Sequence, residues 1–352
     1  MSEFIMNAWY AVAAGDEVGR SPLARTALDQ NLVLYRTEGG AAVVMLDRCA
    51  HRFAPLSKGH LCGDAVVCPY HGMQYAADGR CIAVPGQSRV PSDAVVKSFP
   101  VLERYGLVFA WMGLPSQADP GALVEIPQYG DDAWGLSRGH AVFQASLANI
   151  TDNLIDPAHT TFVHERTIGN SAGEHVPVSA HETDDGTVVC GRWVNDAPAV
   201  PMVQRFAGLV GRVDRWQHYY VKAPCTSWVD FGSFEAGRPH TADEQARAPY
   251  RVLSYAFLTP VDARSTHYFS FQLRNFAPGD AAVTAEFNAL YMATFEEDRV
   301  LLEAIQREED RHPGLQPVRI ASDSGVVRLR RTSARLLDQE QRTHSASNAP
   351  AD

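Results

Sequence analysis

Cys49 and His51 stand one residue apart, Cys68 and His71 stand two apart, and sixteen residues separate the pairs. Each pair sets one thiolate and one imidazole on a tight loop. Two such loops can clamp a [2Fe–2S] cluster, with the thiolates on one iron and the imidazoles on the other. Neutral imidazole in place of thiolate removes negative charge, so the reduction potential rises above that of an all-cysteine cluster. The competing chemistry is a structural zinc site with two Cys and two His. Zinc sites commonly group Cys with Cys and His with His, which the order Cys-His…Cys-His does not do. Arg52, Pro55, Gly72 and Tyr75 lie close by in the chain.

A second group is spread over a longer span. Asn153, Asp156 and His159 recur every three residues, a spacing that shares one face of a helix. Pro157 is poorly tolerated inside a helix, which predicts a short or kinked one. His164 follows His159 by five residues and falls off that face, so a break between them is needed for both imidazoles to reach one metal. The third ligand is expected on a long helical pattern over 283–309. Its apolar stripe includes Phe287, Tyr291, Phe295 and Leu302, and Asp298 replaces a Leu within it, while Glu296, Glu297 and Arg299 read as other faces. A carboxylate on a core face is costly unless paired or metal-bound. Two His and one Asp form the facial triad of non-haem Fe(II) oxygenases. A salt-bridged helix carboxylate is the plainer reading of Asp298.

The elements that must position these groups fall in two regions. Residues 1–115 carry short strand-like runs at 31–36, 42–46, 65–67 and 107–112, split by turn signals, and predict an all-β domain. Residues 113–135 read as a linker. The catalytic region, 116–338, carries the polar-apolar segment 147–164, then strand-like runs at 188–194, 216–221, 227–234, 251–258 and 266–276, then the long helix. Residues 339–352 are small and polar, and a disordered tail is expected there.

Composition narrows the class. A chain of 352 residues with 45% hydrophobic and 20% charged content suits two globular domains. The net charge of −10 argues against nucleic acid or an anionic membrane surface as partner. No apolar run reaches the roughly 20 residues of a membrane span. The N-terminus lacks the pattern of a secretory signal, and Cys62, Cys81, Cys190 and Cys225 are scattered as free thiols, so a cytoplasmic protein is expected.

Taken together, the two groups resemble the oxygenase component of the Rieske non-haem iron oxygenases, over nearly the whole chain to about residue 335. The order matches: cluster loops, then Asn-Leu-x-Asp-x-x-His-x4-His, then a late Glu-Asp. Asn7-Ala8-Trp9-Tyr10, Glu103-Arg104-Tyr105-Gly106 and Val213-Asp214-Arg215-Trp216-Gln217 are most similar to the vanillate O-demethylase group, which includes dicamba demethylase and toluenesulfonate methyl-monooxygenase. The resemblance implies an α+β chain: an all-β Rieske domain, then a helix-grip catalytic domain with an antiparallel sheet and a long helix. It implies a homotrimer in which electrons cross from the cluster of one subunit to the mononuclear iron of the next. Asp156 matches a carboxylate bridging a Rieske histidine, here His71, to a triad histidine, here His159, and Asn153 matches a position close to the iron. Positions near Tyr255, Phe257, His267 and Ala289 are expected to line the substrate pocket, with Arg205 or Arg251 meeting a substrate carboxylate.

The implied activity is oxidation of a substituted aromatic acid or phenol with O2, foremost O-demethylation with release of formaldehyde. Methyl or ring hydroxylation is an alternative, as are a Rieske electron carrier without oxygenase activity and a zinc-stabilised binding module. The chain has no Gly-x-Gly-x-x-Gly after a strand, so a separate NAD(P)H-dependent flavin and iron–sulfur reductase is expected.

Overall fold

A computed structural model describes residues 3–347. The chain divides into two units. The first takes the residues up to Val124 with Thr259–Ala263, and the second takes Glu125–Leu258 and the residues from Arg264 on.

The first unit is built from short strands, β1 (Trp9–Ala14), β2 (Leu23–Ala27), β3 (Gln30–Arg36), β4 (Ala42–Leu46), β5 (His60–Cys62), β6 (Ala65–Val67), β7 (Gln74–Tyr75), β8 (Cys81–Ala83), β9 (Val101–Arg104) and β10 (Leu107–Trp111). They form three small sheets, ordered β1-β10-β9, β2-β3-β4 and β5-β6-β7-β8. β-Branched and aromatic side chains on β3, β4 and β6 fill one core with Tyr35, Met45, Leu56, Val66 and Tyr75, and both Cys49 and Cys68 are buried in it. Gly59 permits a close approach there: a Cβ at this position would sit 1.9 Å from the Val67 carbonyl oxygen. The expected linker carries two short 3-10 turns, Pro115–Gln117 and Pro120–Ala122.

The second unit opens with β11 (Gly135–Phe143), then α1 (Leu147–Leu154), α2 (Thr160–Val163), β12 (Ser179–Glu182), β13 (Thr187–Pro198), α3 (Pro201–Ala207), β14 (Arg212–Lys222), β15 (Thr226–Glu235), α4 (Ala242–Ala246), β16 (Tyr250–Asp262), β17 (Ser265–Arg274), α5 (Ala281–Arg311) and α6 (Ser324–Ser347). The strands make one seven-stranded sheet, ordered β11-β17-β16-β15-β14-β13-β12. Its pairings β11–β17 and β12 through β16 are antiparallel. The α5 stripe of Phe287, Tyr291 and Phe295 packs its rings on one another and onto Tyr268 of the sheet. The α+β expectation therefore holds, with a long helix laid on an antiparallel sheet.

Helix α6 differs from expectation. Its extension to Ser347 covers the first part of the tail expected to be disordered, and residues 348–352 lie outside the described residues. Arg330 on this helix pairs with Asp152 of α1 at 2.7 Å, and Leu329 is buried against Ile155 and Tyr219. Those anchors give the polar C-terminal sequence a surface to fold on.

Candidate metal centres and substrate pocket

The two cluster loops of the first unit share one backbone scaffold. The Cys49 amide donates to the Ala54 carbonyl at 2.9 Å, and the Phe53 amide donates back to the Cys49 carbonyl at 3.0 Å. Cys68 repeats the pattern, with its amide donating to Met73 at 2.8 Å and the Gly72 amide donating back at 3.0 Å. The residue four after each cysteine, Phe53 or Gly72, adopts the left-handed conformation, at φ 59° and 71°. The sulfurs point into the core, while His51 and His71 reach the surface with ring centres 4.7 Å apart. Burial pushes the Cys68 thiol up, and the neighbouring Cys49 adds to this. Two adjacent buried sulfurs beside two exposed imidazoles fit a cluster with mixed ligands. Tyr75 completes the site: its hydroxyl accepts from the Ala50 amide at 3.2 Å and lies 3.2 Å from Cys49 Sγ. Burial, and then Cys49, push the Tyr75 phenol up, so it remains a neutral donor to sulfur.

In the second unit the helical segment breaks as Pro157 demands. Ser146 caps α1 by accepting from the Asn149 amide, and α1 ends at Leu154. Asp156 then caps the following turn, its carboxylate accepting from the Ala158 amide at 2.8 Å and the His159 amide at 3.3 Å. Asn153, Asp156 and His159 thus do not share one continuous helical face, because only Asn153 lies within α1. His159 and His164 flank the single turn α2, one just before it and one just after.

That break brings both imidazoles to Asp298. Nε2 of His159 lies 3.7 Å and Nε2 of His164 lies 3.1 Å from Asp298 Oδ1. The three ligand atoms all fall within 4.8 Å of one another, a spacing that suits one ion. Asn153 Nδ2 donates to the same Oδ1 at 3.1 Å. The far nitrogens are held as well: His159 Nδ1 donates to the Asp156 carbonyl at 2.5 Å and His164 Nδ1 to Glu297 Oε2 at 2.8 Å. Partners of this kind fix ring orientation and raise ligand basicity.

Glu297 corrects the sequence reading, which placed it on another helix face. It sits three residues after Thr294 and four before Leu301, on the edge of the buried stripe, and that spacing was the available signal. The electrostatics favour a cation at this point. Burial alone lowers the basicity of His164, but the Asp298 and Glu297 carboxylates outweigh it and hold its pKa up. His159 lacks a second carboxylate as close, and burial drives its pKa down. Asp298 is held low against burial by His164, His159 and Asn153.

The triad lines a small cavity that opens to solvent. Tyr219, Phe231, Ala256, Tyr268, Tyr291 and Phe295 supply much of its apolar wall. The expected lining is displaced by one residue on two strands. Ala256 and Tyr268 face the cavity, whereas Tyr255, Phe257 and His267 alternate to the other face of the sheet. There Tyr255 stacks on Trp228 and Phe271, and His267 meets His140 at 3.1 Å. Ala289 is exposed on α5. Neither proposed cation reaches the cavity: Arg205 pairs with Glu286 at 2.7 Å, and Arg251 with Asp230 at 2.8 Å.

The comparisons agree with this arrangement. Residues 8–100 match the Rieske [2Fe–2S] domain, and residues 143–339 match the vanillate O-demethylase oxygenase C-terminal domain. A toluene-4-sulfonate monooxygenase system iron-sulfur subunit of Comamonas testosteroni is 35% identical, covering 96% of this chain and 98% of its own. The vanillate O-demethylase oxygenase subunit of a Pseudomonas species is 32% identical, covering 98% of each. Solved structures of dicamba monooxygenase superpose with a TM-score of 0.88 for the form bound to 3,6-dichlorosalicylic acid, covering 96% of this chain and 99% of that one at 29% identity. The form with non-heme iron and dicamba gives 0.82, covering 97% and 99% at 29% identity.

The chain belongs to the Rieske oxygenases with a vanillate O-demethylase-type catalytic domain. It is the oxygenase component of a Rieske monooxygenase system, using a [2Fe–2S] cluster and a mononuclear iron, and this implies a separate reductase and an aromatic substrate. No helix among the described residues is long and apolar enough to cross a membrane.

Proposed function

We propose that this enzyme O-demethylates a methoxyarene. The net reaction consumes O2, one NAD(P)H and one proton, and yields the phenol, formaldehyde, water and NAD(P)+. The observation that carries this reading is a His159–His164–Asp298 triad at the wall of an apolar, aromatic-lined cavity. Likeness to vanillate and dicamba O-demethylases supports it. Likeness to toluene-4-sulfonate subunits favours methyl hydroxylation as a second reading.

Cys49, His51, Cys68 and His71 would hold the cluster, and His159, His164 and Asp298 the mononuclear iron. When bound, these groups supply electrons and oxygen activation. The chain's own residues do the positioning. Asn153 turns Asp298 by its N–H, Glu297 and the Asp156 carbonyl aim the two Nε2 atoms, and the ring wall excludes water from the reacting C–H bond.

We further propose a cytoplasmic homotrimer that takes electrons from an NAD(P)H-dependent flavin and iron–sulfur reductase. Asp156 would bridge His159 to His71 of a neighbouring subunit. Its carboxylate is partly exposed beside His159, and His71 is exposed in its own unit, which suits such a contact.

Turnover of methoxy- and methyl-arenes with a surrogate reductase tests the activity, with formaldehyde and aromatic products both quantified. Formaldehyde equal to phenol is expected, and a hydroxymethyl product without formaldehyde moves the enzyme to the second reading.

A further inference from the structure

Apart from the metal its triad would hold, the substrate cavity offers no side-chain cation. Among the described residues that line it there is no Lys or Arg, and the ionisable groups other than the triad are phenols. Burial pushes the phenols of Tyr219, Tyr268 and Tyr291 up, so all three stay uncharged. Buried guanidiniums lie on neighbouring strands but not in the lining: Arg274 donates to Thr284 and the Ala277 carbonyl with its Nε and Nη1 unpartnered, and Arg215 Nε is likewise unpartnered. Arg192 donates to Gln217, to the Gly173 and Pro157 carbonyls and to Thr161, and Arg215 donates to Pro198 and Asn170. A carboxylate or sulfonate held away from the triad in this cavity would be desolvated without a side-chain cation, at a cost of several kcal/mol.

The cavity does hold neutral donors. Ser227 Oγ is buried and finds no hydrogen-bond partner. Ser254 Oγ accepts from Gln272 Nε2 at 3.4 Å, and Gln272 Oε1 accepts in turn from Ser137 at 3.4 Å, which leaves the Ser254 proton free to donate. Ser227 pairs with Ala256, and Val229 with Ser254, so the two serines are diagonal neighbours on one sheet face. Of the other hydroxyls nearby, Thr160 donates to the Pro157 carbonyl and Thr294 to the Leu290 carbonyl, while the neutral phenols of Tyr219, Tyr268 and Tyr291 also line the cavity. A buried hydroxyl without a partner is costly in the free protein, and an acceptor on the substrate would satisfy it.

We infer that the substrate is an uncharged arene carrying a carbonyl-type acceptor (aldehyde, ketone, ester or amide) that Ser227 and Ser254 hold while the triad end of the cavity receives the reacting group. Benzoates and arenesulfonates should bind far more weakly than their neutral counterparts. This rests on the oxygenase reading of the same cavity but not on the choice between demethylation and hydroxylation.

The test uses the iron-loaded holoenzyme and matched pairs differing at one group: a methoxybenzoate against its methyl ester, its amide and the corresponding acetophenone. Binding is measured by calorimetry without O2, and turnover with reductase. The neutral member is expected to bind at least about 100-fold more tightly than the acid. Ser227→Ala should weaken the acetophenone by roughly tenfold and leave a methoxyarene without a carbonyl unchanged. A benzoate that binds as well as its ester overturns the inference, as does a panel in which neither member binds. An unchanged acetophenone affinity in both Ser227→Ala and Ser254→Ala removes the two serines as the recognising pair. Formaldehyde yield is scored separately, so loss of the demethylation reading leaves the charge result standing.

Discussion

Glu297 and Asp156 each hold one of the two triad histidines and have different consequences. Glu297 accepts from His164 Nδ1, so Glu297→Gln keeps the shape and removes the charge that makes Nε2 a better donor to metal. Iron affinity should fall about 10–100-fold in chelator competition while the visible spectrum of the cluster is unchanged. A cluster spectrum that changes with it would place Glu297 in general folding. Asp156 holds His159 mainly through its backbone carbonyl, which Asp156→Asn retains. Both iron centres should then load normally, and electron transfer between them should slow severely. Turnover near wild type with any working substrate would sink the bridging role. Asp298 was legible in the sequence because one carboxylate interrupts an apolar stripe. Glu297 was missed because it sits at the edge of that stripe, where helical period alone assigns either face.

The break between α1 and α2 depends on elements distant in sequence. Arg192 on β13 donates to Pro157, Thr161 and Gly173, and Gln217 on β14 donates to Thr160 at 3.1 Å. These strands hold the short turn that carries both histidines, which is too short to be stable alone. Arg192→Met should lower stability by about 3 kcal/mol, since it leaves buried carbonyls unpaired, and should release iron in step with loss of the folded turn. Thermal unfolding and iron content, read together, check it. Part of this was visible in the sequence: the run Val213-Asp214-Arg215-Trp216-Gln217 marked itself by resemblance, though not by any chemistry of its own. Asp214, Arg215, Trp216 and Gln217 prove to be buried; Gln217 braces the histidine-bearing segment at Thr160, and Arg215 holds Asn170 farther along the chain. Strand identity was equally legible, but the face of β16 and β17 was not. Alternation fixes the spacing of faces, and a frame error of one residue moved the expected pocket to the opposite side.

For the whole molecule, the two candidate metal centres lie in different compact units, and they should fail separately. Removing the mononuclear iron with a chelator should abolish turnover while the cluster absorbance persists, and adding Fe(II) should restore activity. Gly59→Ala strikes the other centre. Its Cβ meets a backbone carbonyl at 1.9 Å, so the first unit should fail to hold its cluster. A variant that retains the cluster absorbance would show that the loops can move apart. Sedimentation of the holoenzyme at three times the chain mass would support the trimer, and a monomer that turns over at full rate would rule out electron transfer between subunits. Composition and motifs had indicated two domains, but not that a short stretch, Thr259–Ala263, belongs with the first unit. A hairpin turn at the end of β16 carries no local signal of its long-range partner.

The matched scaffold of the two cluster loops has a consequence for how this centre can vary. Main-chain bonds set where each cysteine stands, and they repeat in both loops although Ala50-His51-Arg52 and Pro69-Tyr70-His71 share no order of residues. The imidazoles enjoy no such equivalence, since one leaves its loop two residues after the cysteine and the other three. Cysteine position is therefore a property of the backbone and tolerant of drift, while imidazole position is a property of spelling. Moving the histidine of the first loop from 51 to 52 would leave both sulfurs in place and disarm one iron, turning a centre that accepts electrons into an incomplete one without unfolding the unit around it.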